Sequence, residues 1–218
     1  MATRSSPESQ GSRMYNELIA VHTIMRRGSG LITNAYDARA AGKPVDAKTL
    51  ISTSRWFVGF VHHHHQSEDE LFWPVLRRLF PQAVASLDAL TAEHEVLDEE
   101  LDKLAAAVDA LRAGARAADA GLRSAERIEE VLLKHLDAEE PVLQELFQQV
   151  PDDDIIRLRK AIVDGAPKTG PHLVFGLMVD PERVPGYADM SANFPGVVRL
   201  LRRPLLRRYD KVKLALGQ

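Results

Sequence analysis

From Met14 onward, apolar residues recur at alternating steps of three and four for about 150 residues. That is the spacing of helices with one face turned inward. The pattern divides into four long segments, roughly 14–41, 47–79, 83–112 and 123–149. AAGKPVD follows the first, Pro81 opens the second break, Gly114 to Gly121 makes the third, and Pro151 with three aspartates closes the fourth. No run of alternating polar and apolar residues argues for a sheet. The inward positions are Tyr15, Leu18, His22, Met25, Ser29, Ile32 and Tyr36 in the first segment, and Phe57, Val61, His64, Glu68, Leu71 and Val75 in the second. In the third they are Leu87, Leu90, His94, Leu97, Leu101, Leu104, Val108 and Leu111; in the fourth, Ile128, Leu132, His135, Glu139, Val142 and Leu146. Short connections make sequential helices antiparallel neighbours. The predicted fold is therefore all-α, an antiparallel up-down four-helix bundle over 14–150.

The two flanks read differently. Residues 1–13 are polar and Ser-rich, as a flexible tail is. Residues 151–218 hold Gly and Pro clusters (GAPKTGP, DPERVPG, NFPG) and then a basic amphipathic piece, VVRLLRRPLLRRYDKVKLAL. They predict an irregular to helical C-terminal extension packed on the bundle, its last piece a short fifth helix. Arg199, Arg202, Arg203, Arg207 and Arg208 are expected to form a solvated face paired with acidic stretches at Glu99, Glu100 and Asp102 or at Asp152 to Asp154.

Composition narrows the chemistry. The chain is 45% hydrophobic and 27% charged, with a net charge of −3, so no global field draws it to nucleic acid or anionic membrane. It has no cysteine, which excludes disulfides, thiolate zinc sites and iron–sulfur clusters. Any metal must be held by nitrogen and oxygen. Neither a signal peptide nor a transmembrane stretch is legible, so a cytoplasmic location is expected.

Ionisable residues interrupt all four apolar stripes. Burying one charge without a partner costs several kcal/mol, and a shared cation is what makes burying six plausible. His64 and Glu68 are four apart, as are His135 and Glu139, so a His-x-x-x-Glu element occurs on the second and the fourth helix, one turn between its members. His22 and His94 stand alone on the first and third. Counted from the breaks, His22 lies about 19 residues before the first turn, and His64 and Glu68 about 17 and 21 after it. Glu68 and His94 each lie about 11 from the second turn. His94 precedes the end of its helix by about 18, while His135 and Glu139 follow the next start by about 12 and 16. At about 1.5 Å per residue all six converge on one layer. Imidazole and carboxylate at near-octahedral sites suit iron or manganese better than structural zinc. The Glu-x-x-His motif of ferritin-like di-iron bundles is absent.

The order His, His-x-x-x-Glu, His, His-x-x-x-Glu resembles the hemerythrin-like (HHE cation-binding) family, and the phrases LIAVHTIMRR, HHHHQSEDELFWPVL, AEHEVLDEEL and KHLDAEEPVLQEL agree with it over roughly 14–149. The resemblance implies a cofactor of two iron ions, oxo- or hydroxo-bridged, with iron preferred to manganese. Glu68 and Glu139 would bridge the ions while His22, His64, His94 and His135 cap them. Oxygen-carrying hemerythrins use a fifth histidine on the third helix, one turn before the first; the matching position here is Leu90. Either one iron has an extra open site, or His65 supplies the missing nitrogen.

The implied function is a di-iron protein that binds and reacts with a small ligand: dioxygen, nitric oxide or peroxide. Alternatives are an oxygen-activating oxidase or oxygenase acting on an organic substrate, with an electron donor, and an iron- or redox-responsive interaction module. An organic substrate would need a pocket that Phe175, Met178, Tyr187 and Phe194 of the extension are placed to build. His62 and His63 point away from the stripe, toward the surface; His172 takes no role. Gly28 and Gly30, two turns after His22, read either as close helix packing or as a narrow passage for a diatomic ligand.

Overall fold

The computed structural model describes residues 9–113 and 118–218. Four long rods form the bundle: α1 (Gln10–Ala40), α2 (Ala47–Ser67), α4 (Val84–Arg112) and α5 (Ala118–Phe147), with α3 (Trp73–Leu79) continuing the second rod. The rods pack in the ring α1–α2–α4–α5, each against antiparallel neighbours. There is no strand among the described residues, and none of the helices is long and apolar enough to cross a membrane.

Helix α1 starts four residues before the apolar period does, because Ser9 caps it by accepting from the Ser12 N–H at 3.1 Å. The flexible tail expected over 1–13 is therefore helical from Gln10, and residues 1–8 lie outside the described residues. Asp46 caps α2 in the same way, accepting from Thr49 N–H at 2.7 Å. The third break is shorter than expected: α5 begins at Ala118, and Gly121 lies inside it because a Cβ there would meet the Tyr36 ring at 2.2 Å. Residues 114–117 of that break lie outside the described residues.

The second rod departs from a plain helix. Glu68–Phe72 is one wide π-turn, closed by the Trp73 N–H bonding to the Glu68 carbonyl five residues back. Pro74 has no N–H to offer the Glu70 carbonyl, so an ordinary turn cannot run through this point. The wide turn advances the register by about one residue. Phe72, Trp73 and Leu76 face inward, in place of the Leu71 and Val75 expected from unbroken periodicity, which are only partly buried. On α4, where nothing interrupts the ladder, all eight expected inward residues are buried.

The extension is more helical than its Gly and Pro content suggests. It folds as α6 (Asp152–Gly165), α7 (Pro171–Val179), α8 (Tyr187–Ala192), α9 (Gly196–Leu200) and α10 (Arg202–Ala215). It has no separate core. Ile155 and Leu158 join the apolar cluster at one end of the bundle, and Leu173, Leu177, Met178, Tyr209 and Leu216 join the cluster at the other. Helix α1 anchors it: Glu17 accepts from Arg159 Nε at 2.8 Å, and Arg27 donates to the Leu177 and Glu182 carbonyls, both at 2.8 Å. Helix α7 lies so close to α10 that a Cβ on Gly176 would fall 2.0 Å from the Tyr209 ring. The expected pairing of Arg199, Arg202, Arg203, Arg207 and Arg208 with acidic stretches does not occur. Among the described residues Glu100 pairs with Lys103, Asp154 with Arg157 and Arg78, and Arg202 lies over the Tyr187 ring.

Candidate metal centre

Midway along the bundle the apolar packing is broken by one polar layer. His22 comes from α1, His64 and His65 from the end of α2, and Glu68 from the first position of the π-turn. His94 comes from α4, and His135 and Glu139 from α5. Pro141 follows Glu139 by two residues inside α5, so each His-x-x-x-Glu element is followed closely by a proline. All these side chains are buried except that of His64, which is 9% exposed. Their donor atoms form two groups, His65, His94 and His135 in one and His22, His64, Glu68 and Glu139 in the other, with the atoms of each group within 4.8 Å of one another.

These side chains leave an unusual debt of buried polar atoms. Nε2 of all five histidines and both oxygens of Glu68 and Glu139 are buried with no hydrogen-bond partner. A native interior tolerates few such atoms, because each forfeits its hydration without replacement. Nine of them from four rods, converging on one layer, form a donor set able to hold metal cations, which would satisfy every one.

The opposite nitrogens of the rings are satisfied. His65 Nδ1 lies 3.0 Å from Asp98, His94 Nδ1 3.1 Å from Asp69, and His135 Nδ1 3.1 Å from Glu93. His22 Nδ1 lies 3.0 Å from Glu140, which also accepts from Arg26 at 2.5 Å. A carboxylate only accepts, so each Nδ1 carries the proton and a neutral ring presents its Nε2 lone pair to the layer. Burial favours that neutral form. It pushes His65 down to about 4, with His94 and His135 nearby adding to the effect against Asp98. Burial and then His22 hold His64 well below the ordinary histidine range, and burial and then His135 lower His94. His135 is the exception: burial lowers it, but the nearby charge of Glu139 and the hydrogen bond to Glu93 outweigh this and raise it.

The glutamates lie between the two groups. Glu68 Oε1 is 3.2 Å from His64 Nε2, while its Oε2 is 3.5 Å from His94 Nε2. Glu139 Oε2 is 3.3 Å from His135 Nε2 and 3.6 Å from His22 Nε2. Each carboxylate thus contacts one histidine of either group. Burial and then the charge of Glu139 push the Glu68 carboxyl up. Burial works against Glu139 as well, but the histidines around it, His22 foremost, hold it below the usual carboxylate range. Among protein groups alone the two carboxyls are thus pushed in opposite directions. Two ionised carboxylates so close in a dry layer require a positive charge between them.

All six residues expected from the sequence meet in this layer, and His65 meets them as a seventh. Leu90, at the position of the missing third-helix histidine, is packed in the apolar cluster beyond the layer. His62 and His63 stay out of the layer, as expected, and both are partly exposed: His62 lies beside Asp98, while His63 lines the space under the extension with its Nε2 buried and unpartnered. His172 opens α7, and burial and then Arg208 push it down to about 4. Gly28 answers to packing, since a Cβ there would meet Phe57 at 2.9 Å. The supporting carboxylates Asp69, Glu93, Asp98 and Glu140 are not among the residues read from the sequence. For three of them the available signal was an acid adjacent to a ligand candidate: Asp69 follows Glu68, Glu93 precedes His94 and Glu140 follows Glu139.

A cavity of about 490 Å³ reaches the layer at His64, with His63 and Ser67 also in its lining. Bundle residues line one wall and the extension lines the other. Of the four extension residues expected to build a pocket, Phe194 lines it, whereas Phe175 and Met178 are buried in the core. A second hollow of about 450 Å³, between α4 and α5 around Lys103, Ala107 and Arg123, touches none of the seven.

Comparison with known proteins agrees with this geometry. No curated protein and no solved structure matches the chain. The family model described as the hemerythrin HHE cation binding domain matches residues 13–147, which span the four rods and all seven side chains of the layer. The chain therefore belongs to the hemerythrin HHE cation-binding family.

Proposed function

We propose that the layer holds two iron ions and that the protein binds and reacts with a small ligand such as dioxygen, nitric oxide or peroxide. In this reading His65, His94 and His135 serve one iron, His22 and His64 serve the other, and Glu68 and Glu139 are shared. The observation that carries it is the placement of each buried, unpartnered glutamate between a histidine of one group and a histidine of the other. Donors at about 2.1 Å from a common cation, roughly at right angles, stand about 3 Å apart, and the 3.2–3.6 Å separations here approach that spacing. Bound iron supplies a redox-active Lewis acid to the small ligand.

The chain's own side chains do the rest. Five imidazoles donate neutral nitrogen, four of them oriented by carboxylates. Nine protein donors fill nine of the about twelve positions on two octahedral ions, leaving room for exchangeable ligands. With His65 in the layer the histidine count equals that of the oxygen carriers, but the fifth ring comes from α2 instead of the third long helix. The apolar clusters above and below exclude bulk water.

Metal analysis and the optical spectrum of aerobically purified protein test this. Two irons per chain are expected, with near-ultraviolet absorption that changes on adding azide, peroxide or nitric oxide. Protein that carries only trace iron and manganese, and refuses both on reconstitution, would overturn the reading.

A further inference from the structure

The cavity that reaches the layer at His64 is large for a diatomic ligand. At about 490 Å³ it falls within the ~300–1,000 Å³ of small-molecule sites. Leu18 and Val21 of α1 form one wall; Ile162 of α6, Val174 of α7, Phe194 and Val198 form the others. Walls of this kind hold water poorly and favour an apolar guest.

The polar groups decide which guest. Glu17 and Arg159 lie in the wall but neutralise each other through two hydrogen bonds, at 2.8 and 2.5 Å. They add no net charge. Lys168 is different: it is an exposed lining residue with no ion pair or hydrogen bond among the described residues. With Pro167 and Pro195 it makes up the exposed part of the lining, whereas His64 of the layer is nearly buried. The cavity is thus an apolar sleeve with one free positive charge at its rim and the polar layer at its base.

We infer that this cavity binds an apolar organic acid, with its carboxylate at Lys168 and its hydrocarbon end toward His64. The inference rests on the proposed iron centre only through His64, the side chain that both sites share. It places the hydrocarbon end of the guest beside the side of the layer that the cavity reaches.

The test is titration of the iron-loaded full chain with decanoate, decan-1-ol and decylamine, followed by calorimetry and by the absorption of the centre. Decanoate is expected to bind saturably, one per chain, more tightly than the other two, and to perturb the absorption. Val198→Trp, which fills the sleeve from a partly exposed position, should weaken decanoate at least tenfold with iron content unchanged. Lys168→Glu, at an exposed position with no fold role, should weaken decanoate by about fivefold, as a rim charge does, and improve decylamine. Absence of saturable binding by all three probes overturns the inference, as does decanoate binding that is indifferent both to Val198→Trp and to Val163→Trp, the latter at an exposed lining residue of α6. Decylamine binding as tightly as decanoate removes the acid assignment. A preparation without iron defeats the proposed centre instead, and the calorimetric titration of that same preparation still decides the cavity.

Discussion

The two sides of the polar layer are built to different standards. On one side His65, His94 and His135 are each backed by a carboxylate, Asp98, Asp69 and Glu93, and the His65 ring stacks on that of His94 with centroids 4.3 Å apart. On the other side His22 is backed by Glu140, itself held by Arg26, while His64 has no such carboxylate among the described residues and borders the cavity. Backing fixes the tautomer and angle of a ring. Three backed rings make a rigid, closed side; one unbacked ring beside a cavity makes a side where a ligand position can exchange. Under the two-iron reading, small-ligand chemistry belongs on the His64 side.

The bridging position offers the largest effect. Glu68→Leu removes a carboxylate that serves both sides, so iron is expected to fall from two per chain to less than one, read by metal analysis. The metal-free protein should respond in the opposite sense. Glu68 is the carboxyl that burial and the charge of Glu139 disfavour, and apolar replacement of buried ionic groups is worth about 1–4 kcal/mol in other clusters. For a chain of this size each kcal/mol is about 2–4 °C, so calorimetry of the metal-free variant should show a higher melting temperature than the metal-free wild type. A metal-free variant that melts lower would mean that Glu68 is a structural group and not a site held in place for a cation.

Next in size is the comparison of the two sides themselves. His65→Leu removes a ring from the closed side and should bring iron toward one per chain, while His64→Leu should retain more iron and chiefly alter the response to azide or nitric oxide. Equal loss of iron in both variants would abolish the distinction. Below these come the backing carboxylates: Asp98→Asn, Asp69→Asn and Glu93→Gln should each weaken iron binding by about 10–100-fold in competition with a chelator. Because Asp98 touches both His65 and His62, its replacement also tests whether His62 can substitute for it.

How far this asymmetry could be read in advance depended on where periodicity survives. On α4 the ladder is unbroken, and Leu87 through Leu111 with His94 follow from spacing alone. At the π-turn it fails, since a residue is gained between Glu68 and Phe72 and the stripe moves from Leu71 and Val75 to Phe72 and Leu76. Pro74 marked a disturbance but not its sense. His65 sat at the stripe's edge, where a fraction of a turn separates ligand from neighbour, and only the approach of α4 and α5 decides. The cavity was least legible of all, because its two walls come from segments about 150 residues apart, joined by long-range pairs such as Glu17 with Arg159.

The smallest predicted effect separates two readings of Gly28. A Cβ there would stand 2.9 Å from Cδ2 and 3.1 Å from Cε2 of Phe57, a ring that is fully buried, so the ring must shift. Overpacking of that kind costs about 1–3 kcal/mol. Alanine in a helix interior recovers about 1 kcal/mol over glycine. Gly28→Ala should therefore be destabilised by no more than about 2 kcal/mol, a drop of a few degrees in melting temperature, with iron content unaltered. The open cavity reaches the layer at His64 from the side of Val21 and the extension, not past Gly28. The rate of nitric oxide or azide binding should accordingly stay at the wild-type value in Gly28→Ala and fall in Val198→Trp. A slowed rate in the first variant and an unchanged rate in the second would reverse the assignment, making the α1–α2 contact the passage and leaving the cavity without a part in ligand access.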